Sequence, residues 1–276
     1  GGKIAIRSSA PMEDGNALSM AGVFKSVYVY SEKEIPSAIR DIYSQALSSD
    51  VSNFLEMYGI NPDQIKMSLV VQELIEPDFS GVIYTNLGND KKTTLIQYSN
   101  GLVEQLVDGE KKGKTIIVTS ENDFKHYGND QDLNHDTIAE LKLLSDKIGN
   151  IFENKSQDIE FAIKGDHVYI LQSRPLTSDI DIEVIRTSYE KSMAIVLASG
   201  PECVGTVVNL DEFDNLTEVE HLIENLKKEG NKIIIAANIM TLSHDPIIAT
   251  SSGLILSTAS IVSHGAQRAR ELGIGA

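Results

Sequence analysis

Absent features restrict the classes to which this sequence can belong. Its only cysteine is Cys203, so the chain can form neither an internal disulfide nor a cysteine metal cluster. It contains no stretch of about 18 consecutive apolar residues, and GGKIAIRSSA at its start lacks the charged-then-apolar pattern of a secretion signal. These absences predict a protein without a membrane span, located in the reducing cytoplasm.

Basic residues are also scarce. Lysine and arginine number 24 against 40 acidic residues, which gives a formal net charge of −16. This balance argues against nonspecific nucleic-acid binding, although a local phosphate site needs only a few basic side chains. Two glycine-rich phosphate motifs, G-x-x-x-x-G-K-[ST] and G-x-G-x-x-G, do not occur in the sequence.

The distribution of apolar residues predicts strands and helices in two domains. The 276 residues suffice for two cores, and the pattern changes character near 178–195. We predict helices over 33–48, 51–58, 137–152 and 217–229, the last with a capping box of Thr217 and Glu220. Predicted strands are IAIRSSA, VFKSVYVY, MSLVVQELI, SGVIYTN, TTLIQYS, KTIIVT, DIEFAI, VYILQSRP, KIIIAANI and GLILST. Because apolar segments stand at both ends, we expect a fragment of a longer protein.

A predicted hairpin at 158–174 carries polar residues with a chemically suggestive spacing. Gln172 and Arg174 share one face of their strand because strand side chains alternate. A two-residue turn at 165–166 puts Glu160 on the other face from Gln172, whereas a three-residue loop at 165–167 pairs the two directly. We predict the three-residue loop if a site is present, since a carboxylate and an amide oxygen suit Mg²⁺ and a guanidinium suits phosphate. A solvated hairpin face with one ion pair fits the same pattern.

The first loop, RSSAPMEDGNALSMAG, follows Arg7 at the end of a predicted strand. Loops of small residues can present backbone N–H groups to a phosphate. A plain hairpin loop explains the composition equally well, so the loop by itself does not identify a site.

Taken together, these segments resemble a known family. RSSAPMEDGNALSMAG, VVQELIEPDFSGVIYT, NGLVEQLVDG and DIEFAIKGDHVYILQSRPL look like the ATP-binding domain of phosphoenolpyruvate synthase, pyruvate phosphate dikinase and rifampin phosphotransferase, which has an ATP-grasp fold. ASGPECVGTVV, NIMTLSHDP and SHGAQRARELGI resemble the phosphohistidine swivelling domain of that family. The resemblance covers nearly the whole chain.

The resemblance implies an α+β and α/β fold: a partial ATP-grasp domain followed by a truncated swivelling β/β/α phosphohistidine domain. It implies an ATP-grasp domain over 1–178 that lacks its N-terminal part, a linker helix over 179–195 and the histidine domain over 196–276. We expect such a fragment to be inactive by itself.

The resemblance also implies a role for individual residues. His264 matches the phosphorylated histidine, and Glu160 and Gln172 match the Mg²⁺ ligands. The positions that match nucleotide contacts are Arg7, Gly22, Ser26, Gln72, Glu73, Leu74 and Arg174. The implied reaction splits ATP into AMP and two phosphoryl groups and passes the β-phosphoryl group to the histidine. Pyruvate, bound on a missing C-terminal domain, is the implied acceptor.

The sequence around His264 suits this role physically. Ser263 is a favourable N-cap, which would place His264 in the first turn of a helix. Helix N-termini favour anions, so a phosphohistidine there is stabilised by unpaired N–H groups and by the helix dipole. Gly265 leaves room for a phosphoryl group beside the backbone, and neutral imidazole is a competent nucleophile near neutral pH.

Several positions depart from the family pattern. Ala259, Ser260 and Val262 replace two glycines and a threonine, and Val23 replaces a glutamine. Because only about twenty residues separate the two domains, we favour a phosphoenolpyruvate synthase-like dikinase. The alternatives are a rifampin phosphotransferase-like kinase for another small molecule and a catalytically impaired phosphocarrier or binding homologue.

Overall fold

The computed structural model describes residues 3–10, 23–24, 26–120, 123–127, 132–191 and 194–276. The chain divides into two compact units, Gly1–Glu76 and Pro77–Ala276. The boundary that the sequence suggested near 178–195 lies inside the second unit, where helix α5 (Ile182–Lys191) occupies the predicted linker. The mixture of antiparallel and parallel sheets with helices agrees with the expected α+β and α/β class.

The first unit is built around a three-stranded antiparallel sheet in the order β2-β1-β3. Its elements are β1 (Ile4–Ser9), β2 (Ser26–Val29), α1 (Ile35–Ala46), α2 (Ser49–Met57) and β3 (Ser68–Glu73). Pro36 lies in the first turn of α1, where its missing N–H costs nothing. Ile6 and Val29 of the sheet pack against Ala38 and Ile42 of α1, which forms a small core.

The second unit begins with a six-stranded antiparallel sheet in the order β7-β6-β5-β4-β8-β9. Its elements are β4 (Phe79–Leu87), β5 (Thr93–Asn100), α3 (Glu104–Val107), β6 (Lys114–Ser120), β7 (Asp123–Tyr127), α4 (His135–Ile151), β8 (Gln157–Lys164) and β9 (His167–Pro175). Asn134 caps α4 by accepting the N–H of Thr137 at 2.9 Å. Ile138 and Leu141 of this helix cover one face of the sheet.

The same unit continues into a three-stranded parallel sheet in the order β10-β11-β12. Its elements are β10 (Thr206–Asn209), α6 (Leu216–Lys228), β11 (Ile233–Ala237), α7 (Asp245–Ala249), β12 (Gly253–Leu256) and α8 (His264–Leu272). Residues of α6, α7 and α8 bury against β11 in one core. The cap of α6 differs from the prediction, because Asn215 accepts the N–H of Glu218 at 3.0 Å and Thr217 lies inside the helix.

The second face of the six-stranded sheet is covered by chain that follows it. Val82 and Tyr84 of β4 share a core with Ile182 and Ile185 of α5, and the segment before α8 joins the same core. The apolar linker therefore packs onto the sheet, and the start of α8 lies on the sheet face that carries the polar end of the β8–β9 hairpin. Within the described residues, no helix has the length and apolar character needed to cross a bilayer.

Candidate functional site

The β8–β9 hairpin brings Glu160 and Gln172 together. They are directly opposite each other in the register, so their side chains lie on one face of the sheet. The predicted three-residue loop is wrong, because Lys164 pairs with His167 and leaves a two-residue turn at Gly165–Asp166. A β-bulge restores the pairing: Leu171 is an extra residue between the pairs Phe161–Ile170 and Glu160–Gln172.

Gly165 makes the tight turn possible. Its φ of +56° lies in the left-handed region, which glycine enters without a steric penalty. Its N–H also donates to Oδ2 of Asp78 at 2.8 Å, which ties the turn to the start of β4.

A buried ion pair lies beside Glu160 and Gln172. Asp158 pairs with Arg174 in the register, and its Oδ2 accepts from Nε of Arg174 at 2.9 Å and from Nη2 at 2.7 Å. The side chains are 5% and 18% exposed, respectively. Burial raises the pKa of the Asp158 carboxyl, and the charge of Arg174 acts in the opposite direction. Arg174 is thus anchored by two of its nitrogens, and only Nη1 lies outside this pair.

The oxygen donors of the hairpin fit a hard cation. Glu160 offers a carboxylate and Gln172 an amide oxygen, and Mg²⁺ typically takes one or two such protein ligands together with waters and substrate phosphates. Glu160 is half-buried, whereas Gln172 is exposed, so the pair lies at the solvent edge of the sheet. The described residues hold no group of three or more His, Cys, Asp or Glu side chains arranged for a metal ion.

The first unit brings together two of the other candidate residues. Arg7 of β1 is the register partner of Ser26 at the start of β2. Both are half-buried and on one face of the sheet, because directly opposite residues of an antiparallel pair point the same way. Gly22 lies outside the described residues.

The remaining candidates of this unit lie at the end of β3. Gln72 and Glu73 pair with Ala5 and Ile4 of β1, and alternation places them on opposite faces. Leu74 is buried and donates its N–H to the carbonyl of Lys3 at 3.0 Å. Gln72 therefore offers a half-buried amide and Glu73 an exposed carboxylate, whereas Leu74 offers only its backbone.

His264 is the first residue of α8, as predicted, but it is buried. Ser263 occupies the N-cap position, yet its hydroxyl donates to the carbonyl of Ser260 at 2.8 Å and does not cap the helix. Nε2 of His264 lies 2.9 Å from Oδ1 of Asp245, the first residue of α7. Asp245 is completely buried, so the contact that fixes the imidazole ring lies in the protein interior.

The segment before His264 is attached to β5 of the six-stranded sheet and to α3 by buried polar contacts. The N–H of Val262 donates to Oε1 of Gln97 at 3.1 Å, and the hydroxyl of Ser260 donates to the carbonyl of Leu106 at 2.9 Å. Val262 is 2% exposed and belongs to the core that covers the sheet. The valine found where the family has threonine therefore has a structural role here as an apolar contact with the sheet.

Arg270 fastens α8 from its other side. Nη1 donates to the carbonyls of Leu197 at 2.9 Å and Ile261 at 2.8 Å, and the guanidinium lies 5.9 Å from the ring centroid of Tyr84. Burial raises the pKa of Tyr84 above its ordinary value, so the phenol stays neutral beside the cation.

The sequence did not single out three charged residues that shape these sites. Asp158 could have been found, because a pairing of Glu160 with Gln172 implies one of Asp158 with Arg174 by strand alternation. Asp245 lies 19 residues before His264 and has no local signal. Arg268 shares a helix face with His264 at i+4, but the spacing alone does not reveal that both bind Asp245.

Comparison with known proteins supports the same family. The model of the pyruvate phosphate dikinase AMP/ATP-binding domain matches residues 2–128 and 113–193. A probable phosphoenolpyruvate synthase of Archaeoglobus fulgidus is 25% identical over 312 residues, covering 99% of this chain and 39% of that protein. The phosphoenolpyruvate synthase of Pyrococcus furiosus is 23% identical over 98% of this chain and 37% of its own length.

A rifampicin phosphotransferase of Bacillus cereus is 26% identical over 63% of this chain and 23% of its own length. The chain thus spans about two fifths of the length of the synthases and a smaller share of the rifampicin enzyme. Because the family model matches well over half of the residues, this chain belongs to the pyruvate phosphate dikinase AMP/ATP-binding domain family.

Proposed function

We propose that this chain is the nucleotide-handling and histidine-carrying part of a phosphoenolpyruvate synthase-like phosphotransferase. In this proposal ATP yields AMP, the β-phosphoryl group is transferred to His264, and pyruvate is the final acceptor. Residues 1–178 act as the ATP-grasp part, 179–195 as the linker and 196–276 as the phosphohistidine domain. The reaction takes place in the cytoplasm, in keeping with Cys203 as a free thiol.

One observation carries the proposal: the two synthases align with 98–99% of this chain, including the histidine region, whereas the rifampicin enzyme aligns with 63%. A synthase-like order places the histidine domain directly after the nucleotide domain. In this structure the hairpin with Glu160 and the helix with His264 belong to one compact unit. This arrangement favours the synthase over the rifampicin phosphotransferase alternative.

The geometry of α8 supports His264 as the phosphoryl carrier. A helix of nine residues begins at the histidine, so its first N–H groups and the positive end of its dipole lie next to the ring. A phosphoryl group on the ring would be stabilised by both. The glycine at 265 serves close packing and does not leave room for a phosphoryl group as expected, because a Cβ there would lie 3.0 Å from side-chain atoms of Met240 and Leu256.

The hairpin supports the donor side. Glu160 and Gln172 would hold Mg²⁺, which, when bound, neutralises charge on the ATP phosphate oxygens. Arg174 is oriented by Asp158, which leaves Nη1 as the atom of this guanidinium for a phosphate oxygen. Arg7 and Ser26, paired across the first sheet, are the candidate phosphate contacts of the first unit.

The test is to incubate the full-length natural protein with Mg²⁺ and ATP labelled in the β-phosphate, then to map the label by mass spectrometry. We expect AMP formation and an acid-labile label on His264, which pyruvate discharges. ATP labelled in the γ-phosphate is the matched control and should leave His264 unlabelled once the γ-phosphate has been released. A β-label that never reaches His264 contradicts the proposal, and discharge only to another small molecule selects the alternative kinase.

A further inference from the structure

The imidazole of His264 is held at the nitrogen farthest from the backbone. Nε2 lies 2.9 Å from Oδ1 of Asp245, and Asp245 has no exposed side-chain surface. His264 itself is 8% exposed. A phosphoryl group has no route to Nε2 in this orientation, because a completely buried carboxylate occupies the position that the phosphorus atom would need.

Asp245 is itself fixed by the helix that carries the histidine. Its Oδ2 lies 3.0 Å from Nε of Arg268, which is one helical turn after His264 and 3% exposed. Nη1 of Arg268 also contacts Oε2 of Glu271. The guanidinium of Arg268 attracts the Asp245 carboxylate and helps to fix it facing the ring.

The surroundings of the ring are predominantly acidic. Asp245 and Glu271 accompany one arginine, and burial raises the pKa of Glu271 against the effect of Arg268. Asp108, beyond α3, also interacts with His264; burial and then Glu110 raise the pKa of this carboxyl, while His264 lowers it. A phosphoryl group on Nε2 next to Asp245 would place like charges within a few ångströms in a poorly solvated site, which is unfavourable.

We propose that Asp245 is a positioning residue that holds His264 in a retracted orientation, which the ring must leave before Nε2 accepts a phosphoryl group. This inference rests on the proposed function of His264. As the ring turns away, Nε2 gives its proton to water and Nδ1 takes one from water, so the ring stays neutral and its lone pair lies on Nε2. The N–P bond then forms while the bond between the β-phosphorus and the α–β bridging oxygen breaks. AMP departs with that electron pair, which leaves the β- and γ-phosphoryl groups joined on Nε2. Water then attacks the γ-phosphorus and the bond from this atom to the β–γ bridging oxygen breaks, so orthophosphate leaves and the β-phosphoryl group stays on Nε2.

The test uses potassium phosphoramidate, which phosphorylates histidine without an ATP site. The rate at His264 is compared with that at His221, an exposed residue of α6, by mass spectrometry of the same sample. In the natural sequence we expect His264 to react about tenfold more slowly than His221, the effect of one charge-assisted hydrogen bond. Asp245→Asn should raise the rate at His264 several-fold, leave His221 unchanged and yield the Nε2 isomer.

Glu271→Gln is the matched control, because it removes a charge from the same cluster and leaves the contact between Asp245 and His264 in place. It should not change the rate at His264, and thermal unfolding of each variant shows whether the fold is intact. The inference is overturned by equal rates at His264 in Asp245→Asn and the natural sequence, by equal gains in both variants, or by phosphorylation at Nδ1. Since phosphoramidate bypasses ATP, a failure of ATP labelling alone counts only against the proposed function.

Discussion

The second unit contains two buried aspartates that each bind an arginine, and they act on the neighbouring functional residue in opposite ways. Asp158 binds Arg174, and the pair lies two positions along each strand from Glu160 and Gln172. Asp245 binds both Arg268 and His264. The first carboxylate therefore forms a rigid ion pair beside the proposed Mg²⁺ ligands at the solvent edge. The second carboxylate binds the proposed phosphoryl carrier itself.

The two aspartates differ in whether the neighbouring functional residues must rearrange before they can act. Glu160 and Gln172 would need no rearrangement to share a cation, because the register already places them on one face. In the proposed transfer the histidine has to leave Asp245, and the segment before it is attached to the sheet through Val262 and to α3 through Ser260. The linker is packed as well, since Ile180, Ile182 and Ile185 belong to the core on the sheet. Any movement of residues 196–276 away from the six-stranded sheet would have to break the apolar packing of the linker on that sheet. This packing favours a fixed position of the linker.

The largest effect is expected from removing the carrier residue. His264→Asn should reduce the label from β-labelled ATP to background, because an amide lacks the imidazole nitrogen that would form the N–P bond. His221→Asn, on the exposed face of α6, is the control and should keep full labelling. If His264→Asn still takes up the label, His264 is not the phosphoryl carrier, and the comparison of the two aspartates no longer concerns a functional histidine.

The next largest effect concerns the fold. Asp158→Asn should lower the free energy of unfolding by about 3–5 kcal/mol, because it leaves the mostly buried guanidinium of Arg174 without its anionic partner. Glu160→Gln, two residues along the same strand, should change it by no more than about 0.5 kcal/mol, as for other partly exposed positions. Urea denaturation measures both. Equal losses would show that Glu160 belongs to the structural ion pair.

Glu160→Gln should instead weaken cation binding. Removing one negative oxygen ligand from a two-ligand site is expected to reduce affinity for Mg²⁺ about tenfold in the presence of an ATP analogue, as measured by calorimetry. Asp166→Asn, an exposed carboxylate in the turn of the same hairpin, is the matched control and should have no effect. If Glu160→Gln binds Mg²⁺ as tightly as the natural sequence does, the hairpin is not a cation site but a solvated face with one ion pair.

The smallest effect concerns pH at the histidine site. Burial, and then the charge of His264, lower the pKa of His244, whose Nδ1 accepts the N–H of Thr241 at 2.9 Å. The unfolded chain therefore binds a proton at His244 more readily than the folded chain does. The contribution of neutral His244 to the free energy of unfolding is complete above the ordinary histidine pKa, and it is lost as pH falls through the lower pKa of the folded state. The stability lost between neutral and mildly acidic pH should include about 1 kcal/mol from this residue.

His244→Asn keeps an acceptor for Thr241 but cannot titrate, so its urea midpoint should fall less on acidification than that of the natural sequence. The pKa of His126 is also lowered by burial, so it contributes to both proteins equally and cancels in the difference. Identical pH profiles would show that His244 is already protonated, or equally accessible, in the folded chain.

Local patterns were sufficient for much of the fold. The sequence predicted most strands of the antiparallel and parallel sheets, α4, and the position of His264 at the start of a helix. It missed α3, β7, β10 and α7, which are short and lack a clear apolar period. The cap of α6 was misplaced by two residues, since Asn215 and Thr217 are both plausible caps and only the packed helix selects between them.

The sequence by itself determined the chemistry of the two sites: oxygen donors and a guanidinium on one hairpin, and a histidine at a helix start. Only the tertiary structure decided how those groups are presented. The pairing of Glu160 with Gln172 depends on the bulge at Leu171 rather than on the turn, because register is a property of both strands and their neighbours. The contact of Asp245 with His264 joins α7 to α8, and such a non-local contact forms only when the helices pack.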